Sequence, residues 1–234
     1  MTQTWHVTDE ANLQQVLRRV NLTVPGRADG RTKEHTERFS VARLLATIAT
    51  ELKYPFALAH EDRPDFVLKF PASQTGIEHT EVIPENVARA SFLREKGYGP
   101  SVHFLPRAIF GERRKSAQEL KSEILRDEPS GGWYGNAPER ETASAIVGFA
   151  QHKSVAAQKR GYRRFDANWL LMYNNWPAPA VDLGEAIAIA HKAMVAQGCF
   201  DTFDRVYVVG SSELAVTDAS RTQIIKLVDP GIEC

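Results

Sequence analysis

Two carboxylates in residues 63–82, Asp65 and Glu78, have the types and spacing needed to act together on a cation. Residues 66–70 (FVLKF) and 76–82 (GIEHTEV) have strand character and are separated by turn-forming residues. Paired as a hairpin, the two strands would project Asp65 and Glu78 side by side at one end, because side chains alternate along a strand. Ionised carboxylates so close together repel each other, and oxygen ligands suit hard divalent ions. The spacing therefore predicts a site for Mg²⁺ (or Mn²⁺). The alternative is a surface hairpin in which Asp65 caps a turn and Glu78 is solvated.

These residues resemble the motif of the PD-(D/E)xK phosphodiesterase superfamily, which forms the core of many restriction enzymes, resolvases and repair nucleases. Pro64 and Asp65 match the PD half of the motif, and Glu78-His79-Thr80 stands where E-x-K is expected. The chain departs from the motif at Thr80, where the family has lysine. The resemblance implies metal-dependent hydrolysis of phosphodiester bonds in DNA or RNA, with the metal held by Asp65, Glu78 and the main-chain carbonyl of His79.

Thr80 can hydrogen-bond a water molecule, but it cannot supply the positive charge that the family lysine brings to the reaction. Three other lysines are candidates for that role. Lys69 shares the strand face of Asp65, Lys153 lies on the buried stripe of a predicted helix, and Lys159 follows on the same helix. In some members of the superfamily the lysine has moved to a helix beside the site. The alternative for each is a side chain that extends along apolar surface to reach solvent.

Two further patterns match expectations from the superfamily. The first helix of the family often adds an acid to the site, and Glu51 is the candidate here because it lies on or beside the apolar stripe of a helix predicted over residues 36–53. The alternative is an acid at the edge of the stripe that reaches solvent. Gln158 and Tyr162 match a Q-x-x-x-Y pattern found beside the site in some recombination exonucleases.

A basic cluster offers the best candidate for contacts with nucleic-acid phosphates. It consists of Arg107, Arg113, Arg114 and Lys115, within a Gly- and Pro-rich insertion at about 97–137 that carries a charged helix over residues 112–127. The alternative is a solvated helix face, which is the common role of such charges.

Composition limits the choices further. The 234 residues contain 29 Lys and Arg against 29 Asp and Glu, so a nucleic-acid partner would have to be bound by a local basic patch. The two cysteines, Cys199 and Cys234, form neither a disulfide framework nor a zinc cluster, which is typical of a reducing cytoplasm. No apolar run is long enough for a membrane helix, and we expect a cytoplasmic protein without a membrane partner.

The remaining patterns predict the order of elements. Helices are expected at 9–20, 36–53, 85–96, 138–160 and 182–197, and strands at 56–59, 66–70, 76–82, 168–173 and 205–209, followed by a hairpin formed by 213–217 and 223–228. This is the αβββαβ order of the superfamily core, which implies an α/β, restriction-endonuclease-like fold with a mixed central sheet flanked by helices.

The predicted domains are an N-terminal helix and linker (1–35) and a core (36–234) that contains the insertion. The N-terminal piece is expected to be an accessory arm or a dimerisation element, so a homodimer is one expectation. Three functions remain open: a Mg²⁺-dependent nuclease, a catalytically silent nuclease fold used for binding or regulation, and an unrelated α/β enzyme acting on a small metabolite.

Overall fold

A computed structural model describes residues 4–159 and 161–230. Within these residues a mixed, open sheet of eight strands is flanked by six α-helices, so the chain has the predicted α/β class. The strands lie in the sheet in the order in which they occur along the chain.

The first four strands are antiparallel, the central ones are parallel, and the last two return as antiparallel strands. Their bounds are β1 Thr4–Val7, β2 Phe56–His60, β3 Phe66–Lys69, β4 Gln74–Val82, β5 Ala167–Asn174, β6 Arg205–Val209, β7 Glu213–Thr217 and β8 Thr222–Lys226.

The helices are α1 Glu10–Arg18, α2 Lys33–Thr47, α3 Glu85–Glu95, α4 Ala117–Arg126, α5 Ala137–Ala157 and α6 Leu183–Ala196. Several begin at residues that satisfy the free amides of the first turn. Asp9 accepts from the amide of Asn12, and Asp182 accepts from the amide of Glu185. Short 3-10 turns lie at Arg27–Asp29, Ala49–Glu51 and Cys199–Asp201. No helix in the part of the chain that is described has the length and apolar character needed to cross a bilayer.

The sheet separates two apolar layers. Helices α1 and α2 pack on one face, where Leu17 and Leu44 belong to the same buried cluster as Leu68 of β3. Helices α5 and α6 cover the other face, where Ile146 and Ile187 belong to a second buried cluster. Strand β5 contributes to both layers because its side chains alternate: Leu171 belongs to the first cluster, and Leu170 and Met172 belong to the second.

The predicted core elements are present with end shifts of a few residues. The helix predicted over 36–53 instead spans Lys33–Thr47, and the charged helix of the insertion is confined to Ala117–Arg126. The helix predicted to end at 160 stops at Ala157, and Arg160 lies outside the described residues. The segment 1–35 contributes β1 to the sheet, and Leu13 and Leu17 to the core, as well as the expected helix.

Candidate acid–lysine site

The register of two strands brings Asp65 next to Glu78. Phe66 of β3 pairs with Ile77 of β4, and extending that antiparallel register by one residue places Asp65 opposite Glu78. The Asp65 backbone is fixed from the other side, because its carbonyl accepts from the amide of Glu61 at 2.9 Å. Its Oδ2 accepts a 2.7 Å hydrogen bond from the amide of His79, the residue that follows Glu78. Asp65 is buried, and Glu78 is mostly buried.

Helix α5 supplies an ammonium group to this pair. Nζ of Lys153 lies 2.6 Å from Oε1 of Glu78, a contact between residues separated by 75 positions in sequence. The Lys153 side chain is mostly buried, with 22% of it exposed. A positive charge is therefore held beside the Glu78 carboxylate in a site with limited access to water.

Helix α2 supplies a second ammonium group at its first residue. Nζ of Lys33 lies 2.5 Å from Oδ1 of Asp65 and 2.8 Å from Oε1 of Glu37, so it bridges two buried acids. The contact with Glu37 is an ion pair without the alignment of a directed hydrogen bond. The other oxygen of Glu37 lies 2.9 Å from Nε2 of His60. The Lys33 side chain itself is 64% exposed.

Burial and charge shift the pKa values of the two central acids in opposite directions. Burial works to raise the pKa of Asp65, but the hydrogen bonds from Lys33 and the His79 amide, with the charge of Lys153, hold it below 3.8. Burial raises the pKa of Glu78 above 4.5, and the negative charge of Asp65 adds to that rise against the opposing effect of Lys153. The influence of Asp65 on Glu78 is that of two like charges held close together.

The surrounding groups remain in defined protonation states. Burial works to lower the pKa of Lys33, but its contacts with Asp65 and Glu37 raise it above 10.5, so the ammonium stays charged. Burial lowers the pKa of His79 to about 3, which keeps the imidazole neutral, and its Nε2 lies 3.2 Å from Oγ of Ser40. Burial raises the pKa of Tyr162, and the charges of Glu78 and Asp65 add to the rise, so this phenol stays protonated near the acids.

Two of the residues predicted for the site make other contacts. The prediction for Glu51 was wrong in its premise: α2 ends at Thr47, and Glu51 belongs to the following 3-10 turn, where its half-exposed side chain lies 3.8 Å from Arg205. Lys69 shares the strand but pairs with Glu61 at 2.9 Å. Thr80 is half-buried and follows Glu78 by two residues, so the two share one face of β4.

The predicted basic cluster is neutralised by acids. The pairs are Arg107 with Glu141, Arg113 with Glu119, Arg114 with Glu85, and Lys115 with both Glu112 and Glu123. Positive side chains that are each paired with a carboxylate present little net charge to a phosphate. The expectation of a phosphate-binding patch at these four residues therefore has no support in the charge distribution.

Sequence reasoning missed Lys33 and Glu37. A signal for Glu37 was available, because it precedes Val41, Leu44 and Ile48 on the same apolar stripe of α2. No such pattern pointed to Lys33, because it lies in the polar stretch predicted as a linker before the helix. Tyr162 was noted only through a short pattern, and its position near Glu78 depends on the chain that follows α5.

Asp65 and Glu78 are the two carboxylates of the site that a cation could share. In the described residues no group of three or more His, Cys, Asp and Glu side chains is arranged to hold a metal ion, so a site would rest on two carboxylates and main-chain oxygen. Asp65 and Glu78 are hard oxygen donors of the kind that Mg²⁺ prefers. The Lys33 ammonium already marks a cation position between Asp65 and Glu37, and its exposed side chain has room to move into solvent.

Comparisons of the chain with protein-family models, with curated proteins and with solved structures found no match. The contacts of Asp65, Glu78, Lys153 and Lys33 are therefore the basis on which a function is inferred.

Proposed function

We propose that this protein is a metal-dependent nuclease that hydrolyses phosphodiester bonds, built as a divergent restriction-endonuclease-like fold. One observation carries the proposal: the ammonium of Lys153 lies 2.6 Å from Glu78, whose strand neighbour is Asp65. This is an acid pair with a lysine, although the strand position of the motif lysine holds Thr80. The order of elements from α2 to β6 supports it independently of these contacts.

Asp65, Glu78 and the carbonyl of His79 would hold Mg²⁺ or Mn²⁺. When bound, the metal supplies a Lewis acid that polarises the phosphate and lowers the pKa of a water molecule. The acids of this chain must then be ionised. Glu78, whose pKa is raised by burial and by Asp65, is the acid whose protonation limits the site at low pH.

Lys153 is assigned the role of the missing motif lysine. An ammonium fixed 2.6 Å from Glu78 is positioned to hydrogen-bond an attacking water and to offset the negative charge that develops on the phosphate. Thr80, on the same face of β4 as Glu78, can add a hydrogen bond but no charge. The neutral phenol of Tyr162 can donate a proton in a hydrogen bond near the same acid.

A second function, binding or regulation without catalysis, is favoured by one specific observation. Each carboxylate of the central pair already contacts an ammonium group, Asp65 through Lys33 and Glu78 through Lys153. A site that satisfies its acids with its own lysines is stable without a metal. This candidate predicts the same fold and no cleavage.

The deciding experiment measures cleavage of single- and double-stranded DNA and RNA with Mg²⁺, with Mn²⁺ and with EDTA. We expect metal-dependent cleavage that falls by about 100-fold or more in Asp65→Asn, Glu78→Gln and Lys153→Met, the usual effect of removing a group that acts in the transition state. Glu51→Gln is the matched control and should retain full activity.

Two results would contradict the assignments. Cleavage that persists in both Asp65→Asn and Glu78→Gln would remove these acids from the reaction. Full activity in Lys153→Met together with loss in Lys69→Met would move the lysine role to the strand. Absence of cleavage under every metal condition, with an intact fold, would favour the binding or regulatory function.

A further inference from the structure

A pocket of about 360 Å³ lies where the 3-10 turn Arg27–Asp29 faces α3 and the start of α4. Three guanidinium groups line it, those of Arg27, Arg31 and Arg89. The pocket is separate from the acid–lysine site, and nothing in the proposed reaction uses it. Its size is at the lower end of the range of pockets that bind small molecules.

Two of the three arginines are held in place by one acid. Arg27 and Arg31 each direct Nη2 to Oε1 of Glu81, at 2.7 and 2.8 Å, and Asn175 donates to the same oxygen at 2.6 Å. Both side chains are mostly buried. The two guanidinium groups share one carboxylate, so together they keep a net positive charge, and each has five N–H donors of which Glu81 takes one.

The third arginine adds charge without a matching acid at its contact. Nη1 of Arg89 donates to the main-chain carbonyl of Lys115 at 2.6 Å, which is a neutral acceptor. The acid that lines the pocket, Glu85, pairs with Arg114 at 2.9 Å. The lining is therefore suited to an anion that can receive several N–H groups at once, as a phosphate can.

The rest of the pocket wall is apolar and includes an accessible aromatic ring. Leu93 and Leu120 line it, and so does Phe92, which is 43% exposed. The Lys96 ammonium lies 5.9 Å from the centre of that ring. An exposed phenylalanine beside arginines fits a planar base stacked on its face, which is how bases without a paired partner are commonly bound.

We infer that this pocket binds a nucleotide, with the phosphate on Arg27, Arg31 and Arg89 and the base against Phe92. The inference rests on the proposed function for the nucleic-acid class of the ligand. Glu81, which fixes two of the arginines, follows Glu78 by three strand residues, a separation of about 10 Å along β4. Residues three apart on a strand point to opposite faces, so a nucleotide in the pocket would bind on the other face of β4 from Glu78, as a second site separate from the acid–lysine site.

The test is calorimetric titration of the full chain with adenosine 5′-monophosphate in EDTA. We expect saturable binding that weakens about tenfold or more in Arg89→Gln and in Arg31→Gln, because each removes a charge-assisted contact with the phosphate. Phe92→Ala should weaken binding of the nucleotide and leave binding of inorganic phosphate unchanged. Arg221→Gln, an exposed arginine on the β7–β8 turn, is the matched control and should bind as the wild type does.

Three results would overturn the inference: unchanged affinity in Arg89→Gln and Arg31→Gln, adenosine binding as tightly as its monophosphate, or inorganic phosphate binding as tightly as the nucleotide. Failure here is distinguishable from failure of the proposed function. Asp65→Asn should abolish cleavage and leave nucleotide binding intact. If the chain binds the nucleotide in this pattern but never cleaves nucleic acid, the assignment of the pocket stands and the proposed nuclease function is refuted.

Discussion

Replacing Lys33 with methionine should make the protein less stable without metal and improve its affinity for divalent ions. Lys33 lies 2.5 Å from Asp65 and 2.8 Å from Glu37, and both acids are buried. With the dielectric of water, each contact contributes about 1.5 kcal/mol, and measured values for solvent-screened pairs are about 0.2–1 kcal/mol. Since the Lys33 side chain is 64% exposed, we use the solvent-screened values. Two contacts at the upper end of that range, which the burial of both acids favours, give a total loss of about 2 kcal/mol.

For a chain of this length, a loss of about 2 kcal/mol lowers the melting temperature by roughly 4–8 °C. Metal binding in the wild type must displace the Lys33 ammonium from Oδ1 of Asp65, whereas in Lys33→Met no ammonium competes for that oxygen. The affinity for Mn²⁺ should therefore rise by about tenfold, which corresponds to about 1.4 kcal/mol. Thermal unfolding in EDTA and in Mn²⁺, with calorimetry of Mn²⁺ binding, measures both effects.

Lys69→Met is the matched control, because Lys69 pairs with Glu61 outside the acid–lysine site. It should change neither metal affinity nor the difference in melting temperature between Mn²⁺ and EDTA. Two outcomes would refute the reasoning: a Lys33→Met protein that melts in EDTA at the wild-type temperature, or one that binds Mn²⁺ more weakly than the wild type. The second would mean that Lys33 supports the metal site.

Three further predictions concern the same strands. At neutral pH, Asp65→Asn should destabilise the fold by about 1–3 kcal/mol, because folding lowers the pKa of Asp65 and the ionised form therefore stabilises the native state. Glu78→Gln should not destabilise it, because folding raises the pKa of Glu78. Chemical denaturation of the two variants measures the difference. Burial lowers the pKa of His79 from 6.5 to about 3, so between pH 6.5 and pH 3 the imidazole is protonated in the unfolded chain and neutral in the folded one. The free energy of unfolding should therefore fall as the pH drops from 6.5 toward 3. His79→Gln should make that fall less steep. Gly76→Ala should cost about 1–3 kcal/mol and reduce cleavage, because its Cβ would lie 2.7 Å from the ring of Phe165.

Matched variants separate these effects from general damage. His6 lies on the exposed face of β1, and His6→Gln is the matched histidine variant for His79→Gln. Gly131→Ala adds a Cβ with no atom within 4 Å and should be neutral. The reasoning fails if Glu78→Gln destabilises more than Asp65→Asn, if His79→Gln keeps the wild-type loss of stability in acid, or if Gly76→Ala is as stable as Gly131→Ala.

Most elements were predictable because their signals are local. Strand β6 was predicted with its observed bounds, Arg205–Val209, and the closing hairpin was predicted within two residues. An apolar run or a helical stripe of sufficient length defines an element regardless of the rest of the chain. Strand β1 was missed, because four residues (TWHV) carry too short an alternation and become a strand only by pairing with β2.

The error at Glu51 has a local cause with a distant effect. The predicted helix continues to residue 53, but α2 ends at Thr47 and a 3-10 turn follows. Because a 3-10 turn has fewer residues per turn than an α-helix, α-helical spacing places Glu51 on the wrong face. Glu37, one turn before Val41 on the same stripe, was the buried acid that this helix contributes. The basic cluster illustrates the same limit, since Arg107 is neutralised by Glu141, which lies 34 residues later.

The sequence by itself determined the α/β class, the order of the elements after β1 and the adjacency of Asp65 and Glu78, because these depend on periodicity and on a short hairpin. Only the tertiary structure decided which charges surround the pair. Lys33 reaches Asp65 across 32 residues, and Lys153 reaches Glu78 across 75. Such contacts depend on where the helices pack against the sheet. That position is fixed by the packing of both apolar layers together, and no local sequence pattern encodes it.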